Sequence, residues 1–245
     1  MGSIYQSTRV LRSISGQSSK SGTSSRSASS ARISALGDIT AAADSGIKWD
    51  PTDDEQIINS ALLQFLKAVA LATPNSKVGW SMRRLRYNVA YNVASMETRT
   101  DGFLGELGST STQEAFSILE AKPRVLSREG DGRSTFFQKS AEVINWIMGD
   151  QKQGRKVPLQ SLTTSDHSRL LIAQSRHEIF LVIATYDDEY VSYLNGKGSS
   201  SSTFMTMQQY GPYNINDAGH MKYLAEYLVE FYLHLSEPMS CGRLN

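Results

Sequence analysis

The first 36 residues cannot build a core, and this fixes where folding has to happen. Thirteen of them are serine, and the stretch SGQSSKSGTSSRSASSAR at 15–32 holds no large apolar side chain. Ordering one residue costs about 1–2 kcal/mol of backbone entropy, and such a segment has too little apolar area to offset that. Residues 1–36 are therefore expected to be a disordered arm. The arm is also of one sign, carrying Arg9, Arg12, Lys20, Arg26 and Arg32 and no acidic residue. The full chain has 25 basic and 24 acidic residues. With the five arm cations set aside, residues 37–245 are left mildly acidic. A basic arm on an acidic body is the main charge asymmetry of the molecule.

Several classes are excluded by what the chain lacks. Cys241 is the only cysteine among 245 residues, so no intrachain disulfide and no cysteine-based zinc site can form. No apolar run approaches the ~20 residues of a membrane span, and the N-terminus has no apolar stretch of signal-peptide type. The opening MGSIYQS comes near the myristoylation pattern, but Gln6 stands where Ser or Thr is needed and Ser7 follows one place late.

Residues 37–245 read as one globular body. Pro51 and the spacing Thr52-x-x-Glu55 signal a helix start. Ile58, Ala61, Leu62, Phe65, Leu66, Val69 and Ala70 then recur at helical spacing up to Thr73-Pro74. Further helices are expected at 80–99, 112–120, 134–148 and in the segment NDAGHMKYLAEYLVEFYLHLSEP. The fold class is thus expected to be mainly α, a single helical domain with room for a small β element near 155–195. Loops are expected at SREGDGR and NGKGSSSS.

No catalytic residue, metal site or cofactor stands out. His167 in TTSDHSR has a serine and an aspartate as sequence neighbours, but triads assemble from distant positions; TSD is expected to cap a helix. Asp187, Asp188 and Glu189 lack the spaced partners of a calcium loop and fit a turn or a helix end. REGDGRST lacks the spacing of a phosphate-binding loop.

The segment WSMRRLRYNVAYNVASME is more informative. Wound as a helix, it gathers Met82, Leu85, Val89, Val93 and Met96 on one side and sets Arg83, Arg84, Tyr87, Asn88 and Tyr91 opposite. Arginine beside exposed tyrosine suits phosphate contact and base stacking. Arg83, Arg84 and Arg86 are the expected phosphate ligands and Tyr87 and Tyr91 the stacking residues, with Arg9, Arg12, Lys20, Arg26 and Arg32 adding nonspecific attraction. Phe204, Met205 and Met207 in the loop at 200–212, with Tyr223, Tyr227 and Phe231 on the terminal helix, are expected to serve subunit contacts.

This layout, the arm SKSGTSSRSASSAR followed by a compact body bearing MRRLRYNVAY, resembles that of viral coat and nucleocapsid proteins. The resemblance is one of architecture. It implies a non-enzymatic, self-assembling subunit that packages single-stranded RNA, is homo-oligomeric, has no membrane partner and resides in a virion or the host cytoplasm. Two alternatives stay open. The same arm fits a plastid or mitochondrial transit peptide, cleaved near Ser34, ahead of an imported protein or enzyme. It also fits a passive segment on a protein-interaction scaffold.

Overall fold

In the computed structural model the chain divides into two units, Met1–Ile39 and Thr40–Asn245. The structure describes residues 54–92, 94–108, 114–123, 131–155, 159–160, 166–197 and 203–237, all within the second unit. The arm and its five cations lie outside the described residues.

The body is α/β, which corrects the mainly α expectation. The described residues form four helices and nine strands. They are α1 (Glu55–Ala72), β1 (Val78–Ser81), β2 (Arg86–Ala90), β3 (Ser95–Arg99), β4 (Gly102–Glu106) and β5 (Ser117–Lys122), then α2 (Asp131–Lys152) and β6 (Leu159–Gln160). β7 (His167–Ser175), β8 (Glu178–Tyr186), α3 (Asp188–Leu194), β9 (Thr206–Asn214) and α4 (Ala218–Ser236) complete the order. The main sheet runs β1-β4-β5-β7-β8-β9, with β6 paired to the start of β7. Only β5 and β7 are parallel, joined by the α2 crossover; the other pairs are antiparallel.

The expected helix at 80–99 is instead the end of β1 and a hairpin, β2 with β3, in register from Arg86↔Arg99 to Ala90↔Ser95. Leu85, Tyr87 and Val89 point inward while Arg86, Asn88 and Ala90 point out. That alternation has the period of a strand, and Val and Tyr favour it. The expected helix at 112–120 is replaced by β5. The 155–195 region, allotted a small β element, supplies the centre of the sheet: β7 reads HSRLLIAQS and is buried along nearly all its length. A strand covered on both faces needs no polar alternation, which is why its sequence also fitted a helix.

The helices at 52–72, 134–148 and the C-terminus are present as α1, α2 and α4. Asp54 caps α1, its carboxylate accepting from Gln56 N at 2.8 Å; the expected cap, Thr52, lies outside the described residues. Asp187 caps α3 by accepting from Tyr190 N, so the acidic run does mark a helix end. His167 does not follow a helix cap but opens β7, with Nε2 2.8 Å from Asp188 Oδ1.

Two cores follow from the sheet's two faces. Val143, Trp146 and Ile147 of α2 pack with Leu85 and Tyr87 of the hairpin segment onto Ile118, Leu171, Phe180 and Val182. On the other face, residues offset by one position (Leu104, Leu119, Ile172) are buried, as are Leu62, Leu63 and Leu66 of α1 and Leu224, Leu228 and Tyr232 of α4. The Trp80 indole N–H donates to Tyr232 Oη at 2.7 Å, tying β1 to α4. Gly149 is where the hairpin approaches α2 most closely: a Cβ there would stand 2.7 Å from the Tyr87 ring. The C-terminal end of α2 is pinned to β7 by a buried ion pair, Asp150 Oδ2 with Arg169 Nη2 at 3.1 Å.

Candidate active site

The other half of α2 covers a cluster of charges at the carboxyl end of β5, where ligands bind in open α/β sheets. β4 and β5 are in register as Gly102↔Leu119 and Phe103↔Ile118. Continued by one residue, that register sets Asp101 opposite Glu120, on the face beneath α2. Like charges directly opposite destabilise a sheet, so the placement works against the fold.

Each carboxylate is held by several contacts. Asp101 Oδ2 accepts from Ala121 N at 3.0 Å, and Oδ1 takes the Arg84 Nη2 donor at 2.7 Å. Its carbonyl accepts from Asn59 Nδ2 of α1 at 3.1 Å. Glu120 Oε1 accepts from Lys122 Nζ at 2.6 Å and from Gln138 Nε2 at 2.6 Å. Lys122 also reaches Glu55 of α1 at 3.4 Å. The spacing of two between Glu120 and Lys122 is what puts both on one face of a strand.

A third carboxyl joins from α2. Gln138 Nε2 donates to Glu142 Oε1 at 3.1 Å as well as to Glu120, so one amide bridges the two carboxyls. Glu142 Oε2 meets no donor although the residue is 2% exposed. Burial, then the neighbouring carboxylates, raise the pKa of Glu142 and of Glu120 well above the ordinary carboxyl range. Burial also lowers the Lys139 ammonium to about 8; it stands 5.6 Å from the Phe180 ring centroid.

A pH-dependent stability follows. The native state keeps the Glu142 proton to higher pH than the unfolded chain does. Its stabilising contribution is therefore complete below the unfolded carboxyl value, near 4.3, and is lost as pH rises through the native value. Glu142→Gln removes that loss. The variant is expected to melt about 2–4 °C above wild type at pH 8, roughly 1 kcal/mol, with the gap closing towards pH 5. Thermal melts at both pH values check this, and an equal gap at the two would contradict it.

Comparison with known proteins gives no relative. The chain matches no family model, no curated protein and no solved structure. Among the described residues no helix is long and apolar enough to cross a membrane.

The residues expected from sequence fall in different places. Of the three arginines only Arg84 touches the cluster, on Asp101; Arg83 lies over the Phe103 ring with 5.6 Å from guanidinium to centroid, and Arg86 is exposed on β2. Arg86 shares Glu97 with Arg99, which bonds it at 3.1 Å. Tyr87 is 4% exposed and its hydroxyl is pushed up by burial, so its ring is core rather than a stacking surface. Tyr91 donates to Asn145 Oδ1 at 2.7 Å. Of the expected subunit-contact residues, Phe204 and Tyr223 are exposed, and Met205 and Met207 pack against the α2 core. Tyr227 and Phe231 are half-buried on α4.

Sequence reasoning missed Asp101, Glu120, Lys122, Gln138, Lys139 and Glu142. The available signal was the Glu-x-Lys spacing in SILEAK, which has meaning only on a strand.

Proposed function

We propose that the protein is a metal-dependent phosphodiesterase acting on nucleic acid. The observation that carries this is the cross-strand pair Asp101 and Glu120 with Lys122 two residues further along the same strand face. Among the described residues no group of three or more His, Cys, Asp or Glu is arranged to hold a metal ion. Two carboxylates are nonetheless the usual protein share for Mg2+, which keeps several waters and takes its remaining ligands from substrate phosphate.

Bound Mg2+ would polarise the phosphoryl oxygens and acidify a coordinated water. The chain's own residues do the rest. Asp101 and Glu120 would be the residues to hold the cation, Asp101 being oriented by the Ala121 amide. Lys122 presents its ammonium to the phosphate, where negative charge grows as water adds and the P–O bond to the leaving strand breaks. Gln138 orients the Glu120 carboxylate. Arg83, Arg86 and Arg99 hold the flanking phosphates.

The test is to incubate full-length protein with labelled single-stranded RNA and DNA in Mg2+ or Mn2+ and resolve the products on a gel. Cleavage that stops on chelation and in Glu120→Gln is expected. Intact strands at every pH from 6 to 9 would overturn hydrolysis.

The arginine row and the basic arm favour a second reading, the non-enzymatic, self-assembling RNA-packaging subunit. Salt-sensitive binding, large nuclease-resistant particles and no cleavage would select it.

A further inference from the structure

We infer that β9 is a self-association edge: two copies of the chain pair through it, antiparallel across a two-fold axis, and make one continuous sheet. β9 ends the main sheet. One of its sides is taken by β8, and among the described residues no strand pairs with the other. An edge of this kind presents a row of N–H and C=O groups that a further strand can satisfy. Folded proteins commonly blunt such edges with lysine, proline or a bulge. Here the irregularity between Ile179 and Leu181 and Pro212 stand at the same end of the strand, and residues 206–210 have neither. Charge is missing as well. Residues 198–216 hold no Asp, Glu, Lys or Arg, nineteen in succession in a chain that is 20% charged, so a strand laid here desolvates no ion. Gln208 and Tyr210 share one face of the strand and already satisfy each other, Tyr210 Oη donating to Gln208 Oε1 at 2.8 Å.

The ends of β9 select the occupant. Phe204, two residues before the strand, is 62% exposed, and Ile215, one residue after it, is 42% exposed. Antiparallel self-pairing about residue 209 or 210 lays the Phe204 end of one copy on the Ile215 end of the other, so apolar surface is covered at both ends of the contact. The opposite edge of the sheet is a poor match. β1 has four residues against nine and is flanked by Lys77 and Arg83, and a β9–β1 contact would be head-to-tail and open-ended. Pairing β9 with itself closes at two copies. The axis is perpendicular to the sheet, so α2 and the β2–β3 hairpin packed on it stand on the same side in both copies.

The experiment is sedimentation of nuclease-treated full-length protein across a concentration series. A reversible monomer–dimer equilibrium in the micromolar range is expected, since a single strand pair with two apolar ends lies at the low end of stable interfaces. Gln208 and Gln209 are exposed on opposite faces of β9; the double variant Gln208→Lys, Gln209→Lys should weaken the dimer at least about tenfold by setting like charges along the pairing edge. Leu71→Lys, at an exposed position of α1, should leave it unchanged. A cysteine scan of residues 206–210 in a Cys241→Ser background then locates the axis. One position should cross-link to its own copy under mild oxidation while its neighbours do not, because a shift of one residue carries the two Cα atoms beyond the ~7 Å that a disulfide spans. A monomer at every concentration would overturn the inference. So would a dimer that survives the lysine pair, or one that Leu71→Lys dissociates instead. Growth beyond two copies, or a scan with no cross-link, would equally rule out closed pairing through β9.

Discussion

A Lys122→Met protein is expected to bind Mn2+ at least as well as wild type and to cleave nucleic acid about 10^3-fold more slowly, the loss typical of removing one preorganised donor to a developing oxyanion. The two halves of this result separate two roles. Lys122 Nζ is 2.6 Å from Glu120 Oε1 and 3.4 Å from Glu55 Oε2. Were it only a counter-charge holding Glu120 in place, a bound cation would take over that duty and turnover would survive. Were it the group that meets the phosphate, no cation on Asp101 and Glu120 replaces it. Methionine keeps the length and apolar stem of the side chain, so packing beside Glu120 is little changed. The measurement is single-turnover cleavage at saturating Mn2+, paired with Mn2+ titration of the same preparation. Turnover within a few-fold of wild type would remove Lys122 from the chemistry. Loss of metal binding would make it a structural partner of Glu120.

The elements legible in the sequence were those whose apolar period admits one interpretation. α1, α2 and α4 each present a broad 3.6-residue face and lie close to where that face predicts. The hairpin was misread because Leu85 and Val89 are four apart, a spacing shared by a helix face and by alternate strand positions; Tyr87 between them decides the matter, and a helix placed it on the wrong side. β7 was ambiguous for a different reason. A strand buried on both faces has no periodicity to find, so only its neighbours in the sheet reveal it. The site went unseen as a direct consequence. Treating 112–120 as helix turns Glu120 and Lys122 well away from each other, and Asp101 in TDGFLGE then sits in a loop with no partner. Local spacing cannot show that β4 lays Asp101 beside Glu120, since that depends on strand register. Arg84 and Arg86 keep partly exposed side chains in either conformation, while a tyrosine on an alternating strand is sorted inward or outward by its position.

Asp150→Asn is expected to destabilise the protein more than Arg169→Met, although the two changes break the same ion pair. The Arg169 side chain is 1% exposed. It donates through Nε to Tyr186 Oη at 3.2 Å, and its guanidinium stands 4.5 Å from the centroid of the Trp146 ring. Asp150 faces it through Oδ2 and Arg155 Nη1 through Oδ1, each at 3.1 Å. Asparagine keeps the shape of Asp150 and removes its charge, leaving Arg169 buried without a counter-ion. Arginine cannot shed its proton to escape, so the penalty should approach the ~3–5 kcal/mol of a buried pair broken from one side. At about 2–4 °C per kcal/mol for a domain of this size, melting should fall on the order of 10 °C. Methionine at 169 leaves a different remainder. Asp150 keeps Arg155, can be neutralised by a proton where it is desolvated, and faces an apolar chain that packs on Trp146. A cost below about 2 kcal/mol is expected, since buried pairs are often replaceable by apolar groups of similar size. Urea unfolding of the two variants decides the order. If Arg169→Met proves the more damaging, the hydrogen bond to Tyr186 and the stacking on Trp146 outweigh the charge, and the ion pair contributes less to anchoring α2 than its aromatic surroundings do.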